Sequence, residues 1–194
     1  METREATLKR STRETEIELS LRLDGQREIA LDLPMAFFPH ILTSLAFHAG
    51  WDLKIKGRGD LETDAHHLVE DLGIVLGEAL LEALGDKKGI QRFGHSFIPM
   101  DEALSMVAVD LGGRAFLKLD LPAIGERVGD FEINLIEEFL RSFSYGAKIT
   151  LHAKIWWGYN PHHVLESLFK ALGKAIGEAQ KITGEVVPST KGIL

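Results

Sequence analysis

Asp64-Ala65-His66-His67-Leu68-Val69-Glu70 and Asn160-Pro161-His162-His163-Val164-Leu165-Glu166 are two versions of one pattern, and each opens a long amphipathic run. In the first, Leu68, Leu72, Val75, Leu76, Ala79 and Leu80 lead to Gly85; in the second, Leu165, Phe169, Leu172 and Ile176 follow the motif. Apolar residues three and four apart describe one face of a helix, and Asp64 and Asn160 are the residue types that cap a helix start. An alternating stretch that reads as a strand precedes each helix, Trp51 to Lys56 and Ala147 to Trp157. Asp52-Leu53-Lys54-Ile55 therefore aligns with His152-Ala153-Lys154-Ile155, with four fewer residues between strand and helix in the second copy. A repeat on this scale points to a duplicated half-domain. It predicts pseudo-twofold packing of two halves, residues 1–92 and 93–194, into an α+β sandwich with a sheet on one side and helices on the other.

Away from the repeat the signals are shorter. Glu16 to Leu23 alternates, Asp24-Gly25 is a turn pair and Glu28 to Leu33 alternates again, which predicts a two-stranded ribbon. Pro34 and Pro39 bracket the entry to a helix near His40 to His48. Strand-like runs follow at Phe93 to Pro99, Ser105 to Leu111 and Ala115 to Leu119, with Gly112-Gly113 between the last two, and then a helix from about Phe131 to Phe143.

Bulk properties narrow the chemistry. With 194 residues, 45% of them hydrophobic, the chain has enough apolar mass for one large core or two fused small ones. It contains no cysteine, so disulfides and thiolate metal sites are excluded and any transition metal must be held by imidazole and carboxylate. That fits a reducing cytoplasm. Apolar stretches break well before a membrane span, and METREATLKRSTRETE has no apolar signal core. A net charge of -7 argues against a nucleic-acid surface.

The repeated motif carries the chemistry. On a helix, residues four apart share a face, so His66 can share a cation with Glu70 and His162 with Glu166. His67 and His163 lie roughly 100° further round, which directs them to a second ion. Mixed nitrogen and oxygen donors suit manganese, iron or zinc better than magnesium or calcium. A histidine pair at one helix start can be merely a polar N-terminal turn, but capping does not demand the same three residue types twice. Spacing does not rank the remaining histidines, His40, His48, His95 and His152.

The residues around the motifs resemble the imidazoleglycerol-phosphate dehydratase family along nearly the whole chain. Arg10-Ser11-Thr12-Arg13-Glu14-Thr15 is similar to the family's R-x-T-x-E-T opening, and Phe37-Phe38-Pro39-His40-Ile41-Leu42 to its F-F-D-H-M-L. Gly59-Asp60 with Asp64 to Asp71 resembles the first metal segment, and Gly158 to His163 through Glu166 the second. Gly89 to Gly94, Pro99 to Leu104, Asp110 to Arg114, Thr150-Leu151-His152, Phe169-Lys170-Ala171 and Ser189-Thr190-Lys191-Gly192 follow in family order. Pro39 departs from the family's aspartate and removes an acidic neighbour of His40.

The resemblance implies an α+β fold of two similar βαβ-type halves, ribosomal S5 domain 2-like, and a cytoplasmic homo-oligomer of twenty-four chains with sites at subunit contacts. It further implies two manganese ions (Mn2+) per active site, with His40, His66, His67, Glu70, His152, His162, His163 and Glu166 as ligands. Glu14, His40 and His48 then face the substrate, while Arg92, Arg114, Lys170, Ser189 and Lys191 surround its phosphate. The implied reaction removes water from imidazole glycerol phosphate, a small phosphorylated imidazole, to give imidazole acetol phosphate in histidine biosynthesis. Glu14 and His48 are the candidates for proton transfer, with Glu70 and Glu166 able to exchange metal binding for that duty. Two rivals use the same residues: a binuclear metallohydrolase of a phosphate ester or amide, and an assembly protein whose motifs are structural metal clips.

Overall fold

A computed structural model describes residues 3–192 and 194. Two four-stranded sheets dominate it. The first combines β1 (Glu5–Ser11), β2 (Thr15–Arg22), β3 (Ile29–Asp32) and β4 (Asp52–Gly59) in the order β1-β2-β4-β3. The second combines β5 (Phe93–Met100), β6 (Ala103–Asp110), β7 (Phe116–Asp120) and β10 (Thr150–Trp157) in the order β5-β6-β10-β7. The two orders match strand for strand, and in each the third strand pairs with the last in parallel. Helices α1 (Phe37–Ala49) and α2 (His66–Leu84) belong to the first half, and α3 (Leu135–Gly146) and α4 (Pro161–Ala179) to the second. A short ribbon of β8 (Arg127–Val128) and β9 (Phe131–Glu132) leads into α3.

Within each half, sheet and helices lie on opposite sides. The halves then join through their helices: α2 packs on α3 and α1 on α4, while α2 also covers β1 and β2 and α4 covers β5 and β6. One continuous apolar core results, running from Ile17 and Leu19 through Leu72, Phe139 and Phe143 to Leu151 and Leu168. Both sheets therefore turn their other faces outward. Glycines set the close helix contacts, since a Cβ at Gly77 would strike the Phe143 carbonyl and one at Gly173 the Leu45 carbonyl.

Several expected boundaries move. The opening ribbon is β1 with β2, joined at Thr12 to Glu14, and β3 pairs with β4 rather than β2. The Asp24-Gly25 hairpin does not form because β4 inserts between the two alternating runs, and Asp52 Oδ1 accepts from the Gln26 and Glu28 amides instead. Strand β1 adds an element that the hydrophobic pattern does not announce, since at the sheet edge only Ala6 is fully buried. Phe131, expected to open a helix, lies in β9, and Pro39 sits inside the first turn of α1, where a missing N–H costs nothing.

Candidate metal centre

Asn160 Oδ1 accepts from the His162 amide at 3.0 Å with Pro161 in the first turn, so α4 starts with its histidines displayed. The i and i+4 residues His162 and Glu166 meet at 3.0 Å between Nε2 and Oε2. His40, one turn into α1, brings its Nε2 to 3.1 Å from the same Oε2. Among the described residues, His40, His162 and Glu166 form the one set of three ligating groups whose donor atoms lie within 4.8 Å of one another. Two bonds of roughly 2.1 Å meeting near a right angle span roughly 3 Å, so these separations suit a common divalent ion. Lys170 Nζ pairs with the other oxygen, Oε1, at 2.7 Å and leaves Oε2 to the histidines. Burial of Glu166 acts to raise its pKa, but Lys170 and His40 outweigh it and hold the carboxyl down to about 2.

The first motif is built alike but gathers fewer partners. Asp64 Oδ1 accepts from the His66 amide at 2.7 Å to start α2, yet no third donor joins His66 and Glu70 among the described residues. His67 Nδ1 lies 3.0 and 3.2 Å from the two Asp60 oxygens, and His163 Nδ1 lies 2.8 Å from Glu102 Oε2. Both hydrogen bonds raise the pKa of the ring they hold, while that with His163 contributes most to lowering Glu102 to about 2. Sequence reading gave neither Asp60 nor Glu102 a role, although both stand in the family-like blocks quoted above. Neither acid stands at a helix-face spacing from its histidine: Glu102 comes from a turn 61 residues away, and Asp60, seven residues before His67, lies outside the helix beyond a turn.

Other expected site residues fall into separate places. Arg10 Nε donates to buried Asp71 at 2.8 Å and Thr15 also donates to that carboxylate, which leaves Glu14 exposed in the β1–β2 turn. The Asp60 amide donates to the Glu14 carbonyl, and the Glu14 charge helps raise His67. His48 lies far along α1 in a cavity of about 580 Å3 with Arg27 and Lys174. Burial first, then Lys174, Lys170 and Arg27, lower its pKa. His152 is exposed on the outer face of the second sheet, beside Lys118 and Ala108.

Arg92 pairs with Asp110 at 2.7 Å and donates to the Pro188 carbonyl at 3.0 Å, so it anchors the C-terminal tail. Leu194 reaches Gly113, next to Arg114, and Ser189 and Lys191 share a turn in that tail. This cluster sits at the start of β5, whereas Lys170 contacts Met100 at the end of β5. Eight residues of strand at about 3.3 Å each place the two ends roughly 25 Å apart. One chain thus carries the metal donors of its second motif and the tail cations at opposite ends of one sheet.

The sheets also differ outside. Beyond the first sheet stand Lys9, Glu16, Glu18, Arg22 and Lys56, paired in part as Lys9 with Glu18 and Arg22 with Glu5. The outer face of the second presents Phe93, Phe97, Phe116 and Trp156, each about half exposed. No helix is long and apolar enough to cross a membrane among the described residues.

A family model described as imidazoleglycerol-phosphate dehydratase matches residues 34–176. Proteins of that name from Desulforudis audaxviator and Thermoanaerobacter pseudethanolicus are 51% and 52% identical to this chain, each over 98% of it and over 98% and 100% of their own lengths. The crystal structure of imidazoleglycerol-phosphate dehydratase from Staphylococcus aureus is similar, with a TM-score of 0.82 and 38% identity over 90% of this chain and 97% of that one. So is that of IGPD from Pyrococcus furiosus in complex with (S)-C348, at 0.84 and 37%, over 96% and 100%.

Proposed function

Because this chain belongs to the imidazoleglycerol-phosphate dehydratase family, hydro-lyases of histidine biosynthesis, we propose that it dehydrates imidazole glycerol phosphate to imidazole acetol phosphate at sites holding two manganese ions each. One observation carries the reading, the convergence of His40 and His162 on the single Glu166 oxygen. Bound ions would supply Lewis acidity and a template for the ring and diol. The reading further makes His66, His67, Glu70, His152 and His163 ligands and takes residues 1–92 and 93–194 as the duplicated halves.

The same reading makes the protein a cytoplasmic homo-oligomer, of about twenty-four chains by the resemblance. Among the described residues His66 and Glu70 have no third donor, and His152 stands beside Phe116 on an outward sheet face rich in half-exposed aromatics. Apolar surface of that kind marks a protein contact rather than a solvated face. Arg92, Arg114, Ser189 and Lys191 would grip the substrate phosphate beside the metal donors of a neighbouring copy, since the substrate is far shorter than the distance to this chain's own second motif. Lys170 joins from the metal end.

Dehydration breaks the C–O bond at the ring-bearing carbon and the C–H bond at the next carbon; the resulting enol then becomes the ketone. One group must protonate the departing hydroxyl and another must take the carbon's proton. Exposed Glu14 and half-buried His48 are the candidates, and the lowered pKa keeps His48 neutral and able to accept a proton near pH 7. Glu70 and Glu166 are the reserve candidates. Incubation with Mn2+ and imidazole glycerol phosphate should yield the ketone with its phosphate intact. No ketone from the wild-type protein overturns the assignment, and free phosphate would favour a binuclear hydrolase.

A further inference from the structure

We propose that Glu102 is a positioning residue that fixes the tautomer of His163, holding the hydrogen on Nδ1 so that Nε2 remains the ring atom open to an ion. The inference rests on the metal-dependent reading above. A ligating imidazole offers one bare nitrogen, and the partner of its other nitrogen decides which one that is. Glu102 Oε2 lies 2.8 Å from His163 Nδ1, and because an ionised carboxylate can only accept, Nδ1 is the donor. Nε2 makes no hydrogen bond among the described residues; Asp101 Oδ2 lies 3.6 Å from it, beyond hydrogen-bond range, on a side chain 75% exposed.

What makes Glu102 decisive is its second oxygen. Oε1 accepts from the Asn160 amide at 2.8 Å and, more weakly, from the Tyr159 amide at 3.4 Å, immediately before α4. Backbone N–H groups hold one oxygen, so the other faces His163 without freedom to rotate. In the first half Asp60 serves His67 differently. Both of its oxygens turn to Nδ1, and neither has another hydrogen bond among the described residues.

The duplication did not copy this arrangement. Glu102 lies in the β5–β6 turn, whose counterpart is the β1–β2 turn that carries Glu14, whereas Asp60 follows β4. Because Asp60 orients His67, the first hairpin's acid, Glu14, stays exposed, with no side-chain hydrogen bond among the described residues. In the second half the hairpin acid is consumed in orienting His163.

Glu102→Gln tests the idea. Its carbonyl oxygen must stay on the Asn160 and Tyr159 amides, so its NH2 faces Nδ1, makes that atom an acceptor and drives the ring hydrogen to Nε2. In metal-free protein labelled with 15N-histidine, at a pH where the ring is neutral, NMR should show His163 as the Nδ1–H form in the wild type and the Nε2–H form in the variant. Mn2+ affinity should fall roughly 10- to 100-fold in Glu102→Gln, but only about threefold or less in Asp60→Asn, which can rotate its oxygen back to His67. Wild-type His163 in the Nε2–H form overturns the proposal, and that measurement stands even if the variant does not fold. Equal Mn2+ affinity of wild type and Glu102→Gln also overturns it. A wild-type protein that binds no Mn2+ yet shows the Nδ1–H form defeats the metal reading and leaves the tautomer assignment intact.

Discussion

Two helix starts with the same three residue types end in different company. His162 and Glu166 meet His40, while His66 and Glu70 meet no third donor among the described residues. The cause is the neighbouring helix. Gly173 packs on Leu45 to Ala49 of α1 and Gly77 on Phe143 to Ala147 of α3, so the two helix pairs share one register. In that register the position of His40 in α1 is taken by Glu138 in α3, which turns to Arg141. A duplicated motif supplies two donors per copy; the third depends on what the partner helix carries at one position. The outer sheet faces diverged as well, one ionic and the other aromatic.

The largest expected effect joins both copies: His67→Ala combined with His163→Ala should abolish ketone formation. Separating the copies sharpens the contrast. In chains dissociated from one another, calorimetric titration should find one tight Mn2+ site that His40→Ala removes by at least about a hundredfold and His66→Ala leaves alone. Equal losses would break the comparison. On the outer faces, Phe97→Glu with Trp156→Glu should disperse the assembly in sedimentation, whereas Lys54→Glu on the first sheet should not.

Smaller effects test the register. Gly77→Val and Gly173→Val each force a side chain against a facing helix backbone and should each destabilise folding by about 1–3 kcal/mol in denaturant titrations. Only Gly173→Val should also weaken the His40 metal set, since only that change pushes α1 from α4. The smallest effect is on pH. The pKa values of His67 and His163 are raised above 6.5 by Asp60 and Glu102. Their contribution to metal-free stability is therefore complete below 6.5 and lost as pH rises through the raised values. Melting temperatures should fall over that range, and Asp60→Asn should remove the first half's share while leaving the second's.

Much of this was legible beforehand. The caps Asp64 and Asn160, the two long helices and the strands before them follow from local periodicity and hydrogen-bonding types. The collinear blocks carry the family to which the chain belongs. Strand β1 gives little sequence signal because, as an edge strand with one fully buried residue, it carries only Ala6 and Leu8 as apolar positions. The expected β2–β3 hairpin does not form, and a turn pair between alternating runs says nothing of a later strand that inserts between them.

The order of residues alone determined that two helices begin with paired histidines and a glutamate one turn on, since a helix face is set by spacing within a few residues. Only the tertiary structure decided that His40 joins the second set, that Asp60 and Glu102 hold the other rings, and that Arg92 and the tail lie at the far end of the sheet. Those relations depend on which helices pack and which strands pair across long stretches of chain, and they follow from burial of the whole core rather than from any local pattern.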